Sequence, residues 1–157
     1  MAKLALVEAD EIEEEPEATI QVVMAPPLIV ENVWPDIERY VEQACDASHG
    51  DMTPDVAKQR CLGKHSQLWI VVRDGKPAGF AMSRIDEWEA RRALIYWLGA
   101  GDDGESWLLT MVETAEAFAK QAGCSCVDLE GRWGWQKWLK PHGYERIRAY
   151  FRKEIEK

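Results

Sequence analysis

No run of this 157-residue chain is apolar over the length that a membrane span requires. Basic residues are in short supply: 19 Lys and Arg stand against 28 Asp and Glu, for a formal net charge of −9. That balance argues against a nucleic-acid binder, whose affinity comes from neutralising phosphates. The N-terminus lacks the basic-then-apolar order of a secretory leader. The four cysteines (Cys45, Cys61, Cys124, Cys126) lack zinc-ligand spacing, and His49 and His65 share no metal geometry. These absences give the expectation of a cytoplasmic protein with reduced thiols, no membrane span and no metal.

What is present suits one packed domain: 46% hydrophobic residues and eight tryptophans. The charge is unevenly spread. Residues 1–20 hold seven acids (Glu8, Asp10, Glu11, Glu13, Glu14, Glu15, Glu17) against Lys3, a net of −6. Residues 1–19 therefore read as a disordered acidic tail, and residues 20–157 as a single domain. The last 27 residues carry eight bases and three acids, a net of +5.

Local signals set the elements. Ile20 to Met24 is β-prone and ends at Pro26-Pro27. Ile37, Tyr40, Val41 and Ala44 recur at helical spacing, predicting a helix from Pro35 to Ala47. Thr53-Pro54 opens a second helix as cap and first residue. "QLWIVVRDGKPAGFAMSRIDEW" reads as a hairpin turning at Asp74-Gly75, and "RALIYWL" as the next strand. A Gly-rich loop then leads into a long helix whose apolar face runs from Trp107 through Leu108, Met111, Val112, Ala115, Phe118 and Ala119 to Ala122. Asp102 or Asp103 is placed to cap it. "CSCVDLE" is a strand, "GWQKWLKP" a short helix, and "YERIRAYFRKEI" a final alternating strand. The order is helix, helix, hairpin, strand, long helix, strand, short helix, strand: an α/β fold, mostly antiparallel in its first half.

That order, the glycine loop between strand and long helix, and the "WLKPHGYE" segment resemble the GNAT (Gcn5-related N-acetyltransferase) fold, a mixed, mostly antiparallel twisted sheet flanked by helices. More narrowly, "QLWIVV", "WLGAGDDGESWLLTMVETAEAFAKQAGC" and "GRWGWQKWLKPHGYE" look like small GNAT-like proteins encoded by tailed bacteriophages and prophages. The resemblance implies an Arg/Gln-x-x-Gly-x-Gly/Ala loop whose amides hold the pyrophosphate of acyl-CoA. Two alignments fit. One takes Gly104 as the last glycine and puts Gly99 where Arg or Gln is expected. The other pairs Gly99 with Gly101 and puts Tyr96 there. Neither supplies a cation, and Asp102, Asp103 and Glu105 crowd the loop. At an effective dielectric of about 20, two like charges about 4 Å apart repel by roughly 4 kcal/mol, or about a thousandfold in affinity. The family's proton-donating Tyr, four residues before its Gly-aromatic pair, falls on Leu139.

Two functions follow. The acidic loop and Leu139 favour a noncatalytic virion or assembly component that binds other proteins, phage structural proteins among them. Its expected interface is the tryptophan cluster: Arg132, Trp133, Trp135 and Trp138. The alternative is an acyl-CoA-dependent N-acyltransferase acting on an amine. There acetyl-CoA would lie on Leu98, Gly99, Gly101, Gly104, Glu105 and Ser106, with Tyr96 or Glu87 moving the proton.

Overall fold

The computed structural model describes residues 16–157. The expected acidic tail lies outside the described residues as far as residue 15. Five strands form one sheet in chain order: β1 (Ile20–Ala25), β2 (Gln67–Arg73), β3 (Lys76–Trp88), β4 (Arg91–Gly101) and β5 (Cys126–Leu129). β1 to β4 pair antiparallel, and β5 joins β4 in parallel. The β2–β3 turn forms at Asp74 and Gly75, both at positive φ, as a two-residue hairpin requires. The Asp74 carboxylate also accepts from the Thr19 amide at 2.9 Å, tying the start of β1 to the turn.

Alternation along the strands sorts the core into two layers. Leu68, Ile70, Phe80 and Met82 face helices α1 (Val30–Asp46) and α2 (Pro54–Leu62). Trp69, Val71, Ala81, Leu94 and Tyr96 face the long helix α3 (Gly104–Gln121) through Trp107, Met111, Ala115 and Ala119. Three polar groups on this second face form a chain: Trp69 Nε1 donates to Ser83 Oγ at 2.8 Å, and Ser83 donates to Gln67 Oε1 at 2.7 Å.

Three local expectations are corrected. α1 begins five residues before Pro35, because Val30 and Trp34 are buried and extend the helix upstream. Pro35 then sits inside the helix, and the hydrogen bond it cannot donate falls on the carbonyl of exposed Glu31. β4 runs through Gly99 to Gly101, so those glycines are strand and not loop. A Cβ on Gly101 would lie 2.7 Å from the Ala78 carbonyl oxygen and 2.9 Å from the Trp107 ring. Glycine is what lets β3, β4 and Trp107 approach so closely. Finally, no strand forms over residues 144–155. The alternating pattern is present, but the segment has no ladder partner among the described residues, and period alone does not provide one.

Candidate functional site

The sheet forks at Tyr96. β4 and β5 pair from Ala93–Cys126 to Tyr96–Leu129, and the Glu130 amide donates to the Tyr96 carbonyl at 2.8 Å. Beyond that point β5 has ended, while Trp97 to Gly101 continue with β3 as their only strand neighbour among the described residues. β4 also bulges here: Ser83 faces Tyr96 and Met82 faces Leu98, leaving Trp97 as the extra residue. The open half of β4 leads directly into Asp102, Asp103 and α3.

The loop carboxylates do not cap the helix. A capping residue needs β-region backbone, and Asp103 sits in the left-handed region at φ 48°, ψ 59°, with no side-chain bond to the helix. Its carboxylate turns instead to Arg73 of β2, at 3.1 Å. Asp102 turns to Arg39 of α1 at 3.1 Å and accepts from the Tyr40 hydroxyl at 2.6 Å. The Arg39 guanidinium also contacts that hydroxyl. Burial, then the Asp102 hydrogen bond, push the Tyr40 hydroxyl above its ordinary pKa. The cations missing from the loop sequence thus arrive from α1 and β2. The ion pairs are largely exposed, so each adds at most about 1 kcal/mol of stability, but each offsets a charge beside the helix terminus.

Turning the carboxylates away leaves donors behind. The amides of Gly104 and Glu105 have no hydrogen-bond partner among the described residues. The Ser106 amide and hydroxyl both go to the Asp103 carbonyl, at 3.0 and 2.8 Å. A Cβ on Gly104 would meet only the Trp107 ring, at ordinary contact distance. The alignment that takes Gly104 as the loop's last glycine is the one this geometry accommodates, since Gly99 and Gly101 lie within the strand. Glu105 enters no ion pair among the described residues. Two backbone donors at a long helix's positive end, with Asp102 and Asp103 compensated and Glu105 the one unpaired carboxylate of that turn, can take an anionic diphosphate.

The expected catalytic pair is not brought together. Tyr96 is 5% exposed and packs with Trp69, its hydroxyl without a hydrogen-bond partner. Burial, with the neighbouring Tyr144, raises its pKa well above the usual phenol value. Glu87 pairs with Arg92 near the far end of the β3–β4 hairpin. It lies four residues along β3 from Ser83, the partner of Tyr96, or about 13 Å at strand rise. Leu98 packs half-buried against the α1 layer. Leu139 is nearly buried against Leu108 and Val112. Tyr144 packs against the cluster of Leu108, Val112 and Leu139 and donates to Glu116 at 3.4 Å, and burial and that carboxylate push its hydroxyl up to about 12.

The tryptophan cluster divides. Trp135 stacks edge-on against Trp107 and Trp138, at 6.4 and 6.3 Å between centroids. Trp133 is 67% exposed, with the Arg146 guanidinium 3.6 Å over its ring. Arg132 is also exposed. Among the described residues no three His, Cys, Asp or Glu side chains converge as a metal site, and no helix is long and apolar enough to cross a membrane. Cys61 is buried, its thiol pushed up to about 12 by burial.

No protein-family model matches the chain, and no curated protein matches it in sequence. Solved structures do match in fold. A probable acetyltransferase superposes with a TM-score of 0.64 at 12% identity, over 87% of this chain and 97% of that one. The aminoglycoside N-acetyltransferase AAC(6')-Iy, solved in complex with CoA, gives 0.60 at 15% identity, over 87% and 95%. A ribosomal-protein-alanine N-acetyltransferase from Brucella melitensis biovar Abortus 2308 gives 0.62 at 11%, over 87% and 100%. The fold is that of the GNAT acetyltransferases: a five-stranded, mostly antiparallel sheet with helices on both faces.

Proposed function

We propose that the protein binds acetyl-CoA or a related acyl-CoA in the fork between β4 and β5 and transfers the acyl group to an amine. One observation carries this reading. The Asp102 and Asp103 carboxylates turn to Arg39 and Arg73 and make no bond to α3, which leaves the Gly104 and Glu105 amides free. These amides, with Ser106, would hold the diphosphate, and the open edge from Trp97 to Gly101 would flank the rest of the cofactor. Bound acyl-CoA supplies an activated thioester carbonyl.

Attack by the amine nitrogen forms the amide and breaks the carbon–sulfur bond. The departing thiolate needs a proton, and the ammonium product of attack must lose one. Tyr96 sits at the last paired position of the fork, and its hydroxyl has no partner. Its raised pKa keeps it protonated, so it has a proton to give, and the same shift makes it a weak acid toward a thiolate. Glu87, in the hairpin and paired with Arg92, has no such placement. Solvent would take the amine's proton. The fold similarity to N-acetyltransferases, one of them bound to CoA, supports the reading without assigning an acceptor.

A second reading keeps the fork as inherited architecture and makes the protein a noncatalytic partner in an assembly, such as a phage particle. Exposed Trp133 and a leucine at position 139 favour it. Calorimetric titration with acetyl-CoA, followed by a thiol-release assay over a panel of amines, separates the two. Micromolar binding with turnover is the expected result. Binding without turnover on any amine, or silence up to millimolar acetyl-CoA, would leave the second.

A further inference from the structure

Arg39, Arg73, Arg84 and Arg92 each meet a carboxylate. Between residues 20 and 130 only Arg60 and Arg91 have no carboxylate partner among the described residues. Arg91 opens β4 at the hairpin end, away from the fork. Arg60 stands in the last turn of α2, exposed, with its guanidinium 5.2 Å from the centre of the Trp97 ring. Lying over an indole uses up none of its N–H donors. Trp97 is the bulged residue at which β4 passes from two strand neighbours to one. Its Nε1 donates to the hydroxyl of buried Ser66 at 3.2 Å, which ties the indole to the residue before β2. The His65 and Ser66 amides donate to the Arg60 carbonyl at 2.9 and 3.2 Å, folding the turn back over the end of α2. Asp55, Val56, Gln59, Arg60 and His65 then line a surface cleft of about 290 Å3. One indole ring separates an unpaired guanidinium from the fork.

We infer that Arg60 receives a carboxylate of the acceptor, so that the amine is that of a small amino acid. The inference rests on the acyl-transfer reading and names the substrate of the same site. A guanidinium offers paired donors in the geometry of a carboxylate. Without a counter-ion it also repels the ammonium groups of a polyamine or an aminosugar. Position supports the same choice. Tyr96, the proposed thiolate donor, packs in the α3 layer, and Trp97 packs in the α1 layer. The acceptor therefore comes to the fork from the face opposite Tyr96, along the indole that Arg60 covers. The cleft is small for a ligand site, which suits an amino acid better than an oligosaccharide. Asp55 lies five residues before Arg60, about 7.5 Å along α2, and repels a carboxylate at that end of the cleft. The transfer leaves the acceptor's carboxylate untouched: the amine nitrogen takes the acyl carbon and the thiolate leaves. Arg60 thus holds substrate, transition state and product alike, and its share of the binding falls in KM.

Initial rates on the full chain with acetyl-CoA and paired acceptors test this: glycine against methylamine, alanine against ethylamine, serine against ethanolamine, each at equal free-base concentration. In kcat/KM each amino acid should lead its carboxylate-free partner by at least tenfold. Arg60→Gln should cut that preference roughly tenfold to a hundredfold, the worth of hydrogen bonds to a charged group, and should do so through KM. Arg60→Glu should reverse it. Arg60 is exposed, and glutamine and glutamate form helices about as well as arginine, so circular dichroism and calorimetric acetyl-CoA affinity of the variants should match the parent. A second readout needs no turnover. N-acetylalanine, which keeps the carboxylate, should shift the Trp97 indole N–H resonance, assigned by its loss in Trp97→Phe. N-acetylalaninamide should not, and Arg60→Gln should abolish the shift. Turnover that favours the carboxylate-free amines, or a preference that survives Arg60→Gln, would overturn the inference and leave acyl transfer standing. No turnover on any amine with an Arg60-dependent shift would uphold the carboxylate site and sink the transfer reading. Neither turnover nor shift would overturn both.

Discussion

The two halves of β4 differ in both pairing and burial. From Ala93 to Tyr96 the strand lies between β3 and β5, and every residue is at most 5% exposed. From Trp97 to Gly101 it keeps β3 but loses β5, and every residue is half-buried. The first half is all apolar apart from one hydroxyl. The second carries two glycines and ends at two aspartates. One continuous strand therefore spends its first half on cohesion and its second on presenting backbone next to a helix terminus. The division separates two tasks: stability belongs to the doubly paired half, and the proposed ligand contact falls on the half that has been left single.

The sharpest way to break that division is to damage the first half. Leu94 is fully buried beneath α3, and Leu94→Ala should cost about 2–5 kcal/mol of unfolding free energy, read by urea titration. Acetyl-CoA affinity of the fraction still folded should stay within a few-fold of the parent. A cheap Leu94→Ala, under about 1 kcal/mol, would mean that the sheet between β3 and β5 is not the close-packed centre described.

Gly101→Ala comes next. Its Cβ would press on the Ala78 carbonyl oxygen and the Trp107 ring, and overpacking of this kind costs about 1–3 kcal/mol. Trp107 Nε1 donates to the Asp102 carbonyl at 2.9 Å, so displacing the ring also moves the loop. Both stability and acetyl-CoA binding should fall together, unlike Leu94→Ala. If binding alone fell, Gly101 would be touching the ligand and not merely admitting Trp107.

Tyr96 lies at the junction of the halves and should behave as neither. Tyr96→Phe removes a buried hydroxyl that has no partner. Leaving such a group unsatisfied costs about 1–3 kcal/mol, so the variant should be more stable by up to about that amount in thermal unfolding. Under the proposed role, in which the hydroxyl is used only as the thiolate departs, turnover should fall in kcat with KM nearly unchanged. Stabilisation without loss of kcat would remove Tyr96 from the chemistry and leave it a core aromatic.

How much of this could be read from the sequence follows the reach of each signal. The Asp74-Gly75 turn, the Thr53 cap (its hydroxyl accepts from the Val56 amide at 3.4 Å) and the buried stripe of α3 are set by residues within one or two turns of each other, and the structure has them where the pattern put them. The state of the loop was not legible. Arg39 is 63 residues from Asp102, and Arg73 is 30 from Asp103, so reading the loop locally shows carboxylates and no cation. The left-handed backbone at Asp103 is equally silent in the sequence, since aspartate both caps helices and tolerates that conformation. Gly99 and Gly101 look like loop glycines until Trp107 is seen lying over the strand. The segment from Tyr144 onward has a strand's alternation, which describes what it is able to pair with and not whether the partner lies in the same chain.

The smallest effect concerns the loop charge itself. Asp103 is 55% exposed and Arg73 34%, so Asp103→Asn should change stability by less than about 1 kcal/mol. It also removes one negative charge beside the free Gly104 and Glu105 amides and leaves Arg73 uncompensated. If a diphosphate sits there, acetyl-CoA should bind a few-fold more tightly to the variant, and added salt should shrink the difference, because exposed charges are screened over about 10 Å at 0.1 M ionic strength. Free amine substrates lack the phosphates, so their KM should not follow. Unchanged acetyl-CoA affinity at low salt would place the diphosphate away from the start of α3. Weaker affinity would give Asp103 a different part: holding the loop in its left-handed turn through Arg73, so that the two amides stay aimed outward only while the pair is intact.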